Sequence, residues 1–345
     1  IHYCTGADLA VPARSGPLLA RSAAYLSVAH DEYWSYEQRA AIEHARDTNG
    51  LHLNFWSANE AYWAIRFEPS VYHDKQQVGV RADGAAAGAD EDAEDVANDP
   101  PRTLVCYKET QSTTKLDPKP GAWTGTFRDS RPINPKGAMP ENSLSGTMFV
   151  ANAQREDYLV IDAKRFGMHR AWWGTQVREF ADKELDHKSL CWHAAVLGHE
   201  WNSDVDNGWR PPALQKLSET TVNNVAALMD EGSTFDSATG THSLVLHRRG
   251  NGSSAPLTFG AGTVQWSWGL DAMHDINDPQ RANKYAIRVD EDPRGGCHMV
   301  QQLTVNVLLD MGLVPVTLME DHGLKMPTPS VDVTPPNGSL VQADS

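Results

Sequence analysis

The sequence predicts an α/β domain built on a mostly parallel, helix-flanked sheet, and three observations carry that expectation. First, residues 24–29 form a short, mostly apolar run ending in the polar corner His30-Asp31-Glu32-Tyr33-Trp34-Ser35, as a buried parallel strand that delivers a functional loop would. Second, behind the capping residue Ser35, residues 36–46 mix Ala40, Ala41, Ile42 and Ala45 with charges, and Asn49-Gly50 closes the helix so formed. Third, residues 51–56 read as another strand that ends in a second polar corner, Ser57-Ala58-Asn59-Glu60-Ala61-Tyr62-Trp63. Strand, helix and strand make a βαβ unit, and parallel sheets bind ligands beyond the carboxyl ends of their strands. Both corners are therefore expected on one edge.

The composition bounds the function. A chain of 345 residues can form one large domain with insertions or two smaller ones, each with a substantial core. Its formal net charge of -15 and its lack of clustered Lys and Arg argue against a nucleic-acid partner. No apolar run approaches the roughly 20 residues of a membrane-spanning helix. Ile1 reads as a processed or excised start, since neither an initiator Met nor a signal peptide precedes it. Cys4, Cys106, Cys191 and Cys297 are too far apart for a zinc cluster and predict two disulfides or none. With the sequons at Asn251 and Asn337, that even count points to a secreted, extracellular glycoprotein, with the cytoplasm as the alternative.

In chain order, the first 16 residues read as a partial unit interrupted by Pro12, Gly16 and Pro17. Residues 82–101 are small and acidic, too poor in apolar surface to order themselves, and predict a solvated loop. Calcium is the sharper reading of that loop, but the regular Asp ladder of a calcium site is missing. Residues 103–185 read as an irregular, β-rich insertion with strands at 103–107, 145–150 and 158–161, and Trp172-Trp173 as packing residues. Residues 190–197 form another apolar run, ending in Gly198-His199-Glu200-Trp201. This repeats the first corner: a buried strand that delivers a His and a carboxylate. Residues 221–229 and 242–247 predict later strands, and Trp266 and Trp268 share one strand face by their spacing of two. Residues 300–311 predict a long apolar helix stopped by Gly312. The α/β domain thus extends over residues 1–318, and 319–345 read as a Pro-rich linker into a further module.

The two corners, together with Leu104-Val105-Cys106-Tyr107-Lys108, Gly198-His199-Glu200-Trp201, and the stretches 259–271 and 300–312, resemble the C-terminal domain of the N,N-dimethylformamidase large (beta) subunit. The resemblance covers roughly residues 20–315 in the family's order. It implies a three-layer flavodoxin-like, class I glutamine-amidotransferase-like fold. It also implies a mononuclear iron, held by two tyrosine phenolates and one glutamate, that acts on a small amide. Tyr33 and Tyr62 best match the phenolates and Glu200 the carboxylate, with Tyr25 and Tyr107 as substitutes. His199, His30 and Glu32 are then the candidate acid–base residues. Hard oxygen ligands suit ferric iron, whose charge lowers a tyrosine pKa from about 10.

A cysteine or serine nucleophile is disfavoured. Cys106 and Cys191 belong to strand-like runs rather than exposed elbows, and no Gly-x-Ser-x-Gly motif occurs. Two function classes follow. One is a metal-dependent hydrolase of a small amide C–N bond. The other is a non-catalytic scaffold or interaction domain of a larger secreted protein, with a protein partner in place of the amide. The oligomeric state is left open between a homo-oligomer and a larger assembly.

Overall fold

The computed structural model describes residues 1–69, 103–153, 155, 157–181, 196–250, 255–271, 296–318 and 323–327. Twelve strands are present among them: β1 (Ala24–His30), β2 (Tyr33–Ser35), β3 (His52–Ala58), β4 (Trp63–Glu68), β5 (Thr103–Val105), β6 (Met148–Asn152), β7 (Glu200–Ser203), β8 (Gln215–Lys216), β9 (Thr220–Leu228), β10 (Phe235–His242), β11 (Val245–Arg248) and β12 (Leu257–Gly260). They form a five-stranded sheet in the order β1-β3-β12-β11-β8, a four-stranded sheet β10-β9-β6-β7 and a three-stranded sheet β2-β4-β5.

The parallel part is the one the sequence announces. β1 and β3 are parallel neighbours, with His30 opposite Ala58, so both corners leave the same sheet edge. β12 continues the parallel order beside β3. The expectation of a mostly parallel sheet is nonetheless corrected, because β11 pairs antiparallel with both of its neighbours, β12 and β8, and the four-stranded sheet is antiparallel throughout. The link from β11 to β12 spans only residues 249–256, short enough for an antiparallel return and too short for a parallel crossover. The chain is a mixed α/β protein of several sheets.

Helices α1 (Gly6–Leu9), α2 (Pro12–Ala20), α3 (Tyr36–Asn49), α4 (Asn142–Ser145), α5 (Ala163–Phe166), α6 (Gln176–Glu179) and α7 (His298–Asp310) and three short 3₁₀ turns complete the described elements. Ser35 caps α3 by accepting the Gln38 N–H at 3.0 Å, and Gly50 ends it at φ 72°. Ile42 and Ala45 of α3 pack with Leu53 and Phe55 of β3 on one sheet face. On the opposite face, Val300, Leu303 and Val307 of α7 pack against Leu257, Phe259 and Trp266. Helices thus cover both faces of the five-stranded sheet.

Several local expectations change. The Pro-interrupted opening folds into α1 and α2: Pro12 sits in the first turn of α2, where its missing N–H leaves no bond unmade, and Pro17 is carried inside the helix. Residues 158–161 are not a strand, although Leu159 and Ile161 are buried in the core. Trp266 and Trp268 lie in a 3₁₀ turn, Trp266–Gly269, rather than on a strand face, and Trp266 donates its indole N–H to Thr304 of α7 at 3.2 Å. Of the expected strand 190–197 only Val196 and Leu197 are described, and Leu197 bridges Asp157. Cys4 and Cys106 are free while Cys297 is disulfide-bonded, so the expected alternatives of two bridges or none do not describe the pairing. The acidic stretch 82–101, both sequons and most of the linker lie outside the described residues.

Candidate active site

At the carboxyl ends of β1 and β3 the backbone turns by unusual means. Ala29 (φ 64°), Asn59 (φ 50°) and Ala61 (φ 49°) all adopt left-handed conformations, which cost an L-residue with a Cβ about 1–2 kcal/mol. The two corners are then laced together: the Asp31 carbonyl accepts from Ala61 N–H at 3.0 Å, and the Glu32 carbonyl accepts from Tyr62 and Trp63 at 3.0 and 2.9 Å. Strain at three positions is held by these bonds and by the β2–β4 pairing that extends them.

A third element supplies the facing carboxylate. Glu200 is the first residue of β7 and pairs with Asn152 of β6. The sequence led us to expect it in a loop after a parallel strand, whereas it opens a strand of the antiparallel sheet. There its Oε2 meets His30 Nε2 at 2.7 Å, and its Oε1 accepts from Asn152 Nδ2 at 3.0 Å. Asn59, almost wholly buried, joins the three elements: its Nδ2 lies 2.9 Å from Glu200 Oε2, 3.2 Å from Glu32 Oε1 and 3.3 Å from His30 Nε2. Trp63 also donates its indole N–H to Glu32 Oε1 at 3.1 Å. His199 stands beside the group, its ring edge-on to His30 with centroids 6.0 Å apart. One ligand atom from each of His30, His199 and Glu200 falls within 4.8 Å of the others.

These contacts separate the ionisation of the four groups. Burial opposes charge on His30, but the hydrogen bond and charge of Glu200, with Glu32 and Asp31, outweigh it and raise its pKa. For Glu200 burial again opposes ionisation, and the His30 bond and charge, Asn59 and His199 win, lowering it. Burial raises Glu32, helped by Glu200 and resisted by His30 and Lys108. His199 is lowered, by burial and by His30, against Glu200. His30 and Glu32 thus hold their protons more tightly than usual, and His199 and Glu200 release theirs more readily.

Residues 1–281, a span that contains all of these groups, match the family described as N,N-dimethylformamidase beta subunit-like, C-terminal. The chain belongs to this family. No curated protein matches it.

Within this dimethylformamidase-like chain, His30, Glu32, His199 and Glu200 come together, while the two tyrosines sit in an adjoining aromatic cluster with Trp63 and Phe149. Tyr62 packs edge-on against Trp63 and Phe149 at 5.2 and 5.3 Å between centroids, with the Arg128 guanidinium over its ring. Its hydroxyl is buried without a hydrogen-bond partner among the described residues, and burial raises its pKa. Tyr33 carries the Lys108 ammonium 5.3 Å from its ring centroid, and the same ammonium lies 4.8 Å from that of Trp63. Of the substitutes, Tyr25 hydrogen-bonds Asp31 at 3.5 Å and Tyr107 is exposed. Sequence reasoning missed Asn59, Asn152, Trp63 and Lys108 as site residues. Asn59 and Trp63 were visible within a polar corner, but nothing local marks Asn152, which the β6–β7 register alone brings to Glu200.

Proposed function

We propose that the chain hydrolyses the C–N bond of a small amide at this junction, on a glutamine-amidotransferase-like core and with iron as cofactor. The observation that carries this reading is the convergence of His30, Glu32 and Glu200 on Asn59, with His199 beside them, at the strand ends of a dimethylformamidase-like chain. Two imidazole nitrogens and a carboxylate oxygen within 4.8 Å form a donor set that suits a first-row transition metal, iron included. Glu200 also belongs to the set that the family resemblance suggests, with Tyr33 and Tyr62, and the buried, unpartnered Tyr62 hydroxyl is compatible with it. Iron, when bound, supplies Lewis-acid polarisation of the amide carbonyl and a more acidic water.

Glu32 stands outside both donor sets and is the general base of the proposal. Asn59 and Trp63 fix its Oε1, and its Oε2, 3.7 Å from His30 Nε2, takes a proton from water as the water oxygen bonds to the carbonyl carbon. Glu32 then returns that proton to the nitrogen as the C–N bond breaks, giving an amine and a carboxylic acid. Its burial suits this exchange, because a raised carboxyl pKa narrows the gap to neutral pH. The disulfide at Cys297 supports the extracellular location.

Release of ammonia from formamide and acetamide, and of dimethylamine from N,N-dimethylformamide, by the iron-loaded chain tests the reading. Turnover is expected for at least one of them, with kcat about 10²–10⁴-fold lower in Glu32→Gln. A folded, iron-loaded chain that releases neither ammonia nor dimethylamine from any of the three would favour the interaction-domain reading instead.

A further inference from the structure

The second corner contains a carboxyl group that the proposed chemistry does not use. Glu60 is completely buried between the two left-handed residues Asn59 and Ala61, which turn the chain so that its side chain points inward. Burying a carboxyl group without a cation is costly, and among the described residues no Lys, Arg or His nitrogen lies within ion-pair distance of it. Burial pushes its pKa up to about 7. An apolar residue would fill the same space without that cost.

Its neighbour shows what the carboxyl does. Both Glu60 oxygens accept from Asn202 Nδ2, at 3.1 and 3.2 Å, and the same nitrogen reaches Thr147 Oγ1 at 3.1 Å. With Nδ2 committed to acceptors, the amide has one remaining orientation, in which Asn202 Oδ1 accepts the Asn59 backbone N–H at 3.0 Å. Asn202 is itself held in β7, two residues beyond Glu200, where its N–H donates to the Gly262 carbonyl at 2.9 Å. Asn59 is therefore tied to β7 twice, by its backbone to Asn202 and by its side chain to Glu200.

We infer that Glu60 is a positioning residue: by fixing the Asn202 amide it anchors Asn59, and through Asn59 it sets Glu32 against Glu200. The inference rests on the proposed amide hydrolysis for its consequence in catalysis, but its structural half stands apart from it. An error of about 1 Å in a positioning group costs on the order of 10²-fold in rate.

The test uses Glu60→Met, which removes both acceptors at nearly constant length, and Glu60→Gln, which keeps one acceptor for Asn202. Two readouts are taken on the full chain: amide hydrogen exchange by NMR, and kcat and KM for N,N-dimethylformamide. In Glu60→Met the Asn59 N–H is expected to exchange at least about 10-fold faster while the β1 and β3 amides keep their protection. In parallel, kcat should fall about 10²-fold with KM within about threefold, and Glu60→Gln should restore both readouts to within about threefold. Should Glu60→Met fail to fold, Asn202→Ala takes its place with the same expectation. Unchanged Asn59 exchange in a folded variant would overturn the inference, as would a kcat loss that Glu60→Gln fails to rescue. A wild-type chain without amidase activity would sink the proposed function alone, and the exchange result would still decide the role of Glu60.

Discussion

The two halves of the candidate site are built in different ways. On the parallel side, His30, Glu32 and Asn59 sit on corners bent through left-handed residues and laced by backbone bonds. On the antiparallel side, Glu200 and Asn152 are ladder partners at the ends of β7 and β6. Left-handed backbone is thus concentrated in the half that carries His30 and Glu32, while the other half offers a wall of paired strands, bulged between Phe149 and Ala151. The difference suggests a division of labour: the wall fixes one carboxylate, and the corners, held against it by Asn59 and Asn202, set the acid–base groups around it.

If the seam between the halves is structural, breaking it should produce the largest loss of stability. Arg128 and Glu141 form a buried ion pair there, with Arg128 also donating to the Phe149 carbonyl of β6 at 2.8 Å and lying over the ring of Tyr62. Glu141→Gln leaves a buried guanidinium uncompensated and should cost about 3–5 kcal/mol in denaturant unfolding. A loss below about 1 kcal/mol would mean that the halves are held together elsewhere.

The pH dependence of stability sharpens the same contrast. Burial pushes the carboxyl of Glu60, at the seam, from its ordinary 4.5 up to about 7. The folded state therefore binds the extra proton, and stability falls as pH rises through that window, by on the order of 3 kcal/mol. His242 and His247, buried in the sheets, are pushed down to about 4 and about 3, mainly by burial. For them the unfolded state binds the extra proton, so their contribution is present above pH 6.5 and is lost as pH falls through the folded values. Glu60→Gln should flatten the decline between pH 4.5 and 7 and leave the acid-side decline intact; thermal unfolding across pH checks both.

Smaller effects belong to the parallel unit alone. Gly50 ends α3 at φ 72° with open space around its missing Cβ, so Gly50→Ala should cost only the conformational strain, about 1 kcal/mol by denaturant titration. Leu26, exposed on β1, should tolerate Leu26→Lys within about 0.5 kcal/mol. A larger loss there would reveal that this strand edge is covered.

The same contrast explains what could be read from the sequence. β1, α3 and β3 were legible because each signal is local: an apolar run, a serine cap, a glycine in left-handed conformation, although β1, expected as a buried strand, leaves Leu26 and Val28 exposed. Glu200 was legible as a residue but not as part of β7, because a His-Glu pair carries no sign of which strand pairs beside it. Asn152 left no signal at all, since its place depends on a register that shifts at a bulge between Phe149 and Ala151. The spacing of Trp266 and Trp268 fits a strand face, yet packing against α7 and the bond to Thr304 select a 3₁₀ turn. Leu159 and Ile161 are buried as a strand would bury them, but find no ladder.

The central claim is that the two halves act as one site, and a double-mutant cycle on amine release from N,N-dimethylformamide tests it most directly. His30→Ala removes a group from the corners and Glu200→Gln changes its partner on the wall, a contact of 2.7 Å. Each single change is expected to lower kcat/KM by about 10³-fold, and the double variant by little more than either alone, because groups that act as a unit are not additive. Multiplying losses in the double variant, or activity that survives either single change, would contradict the account.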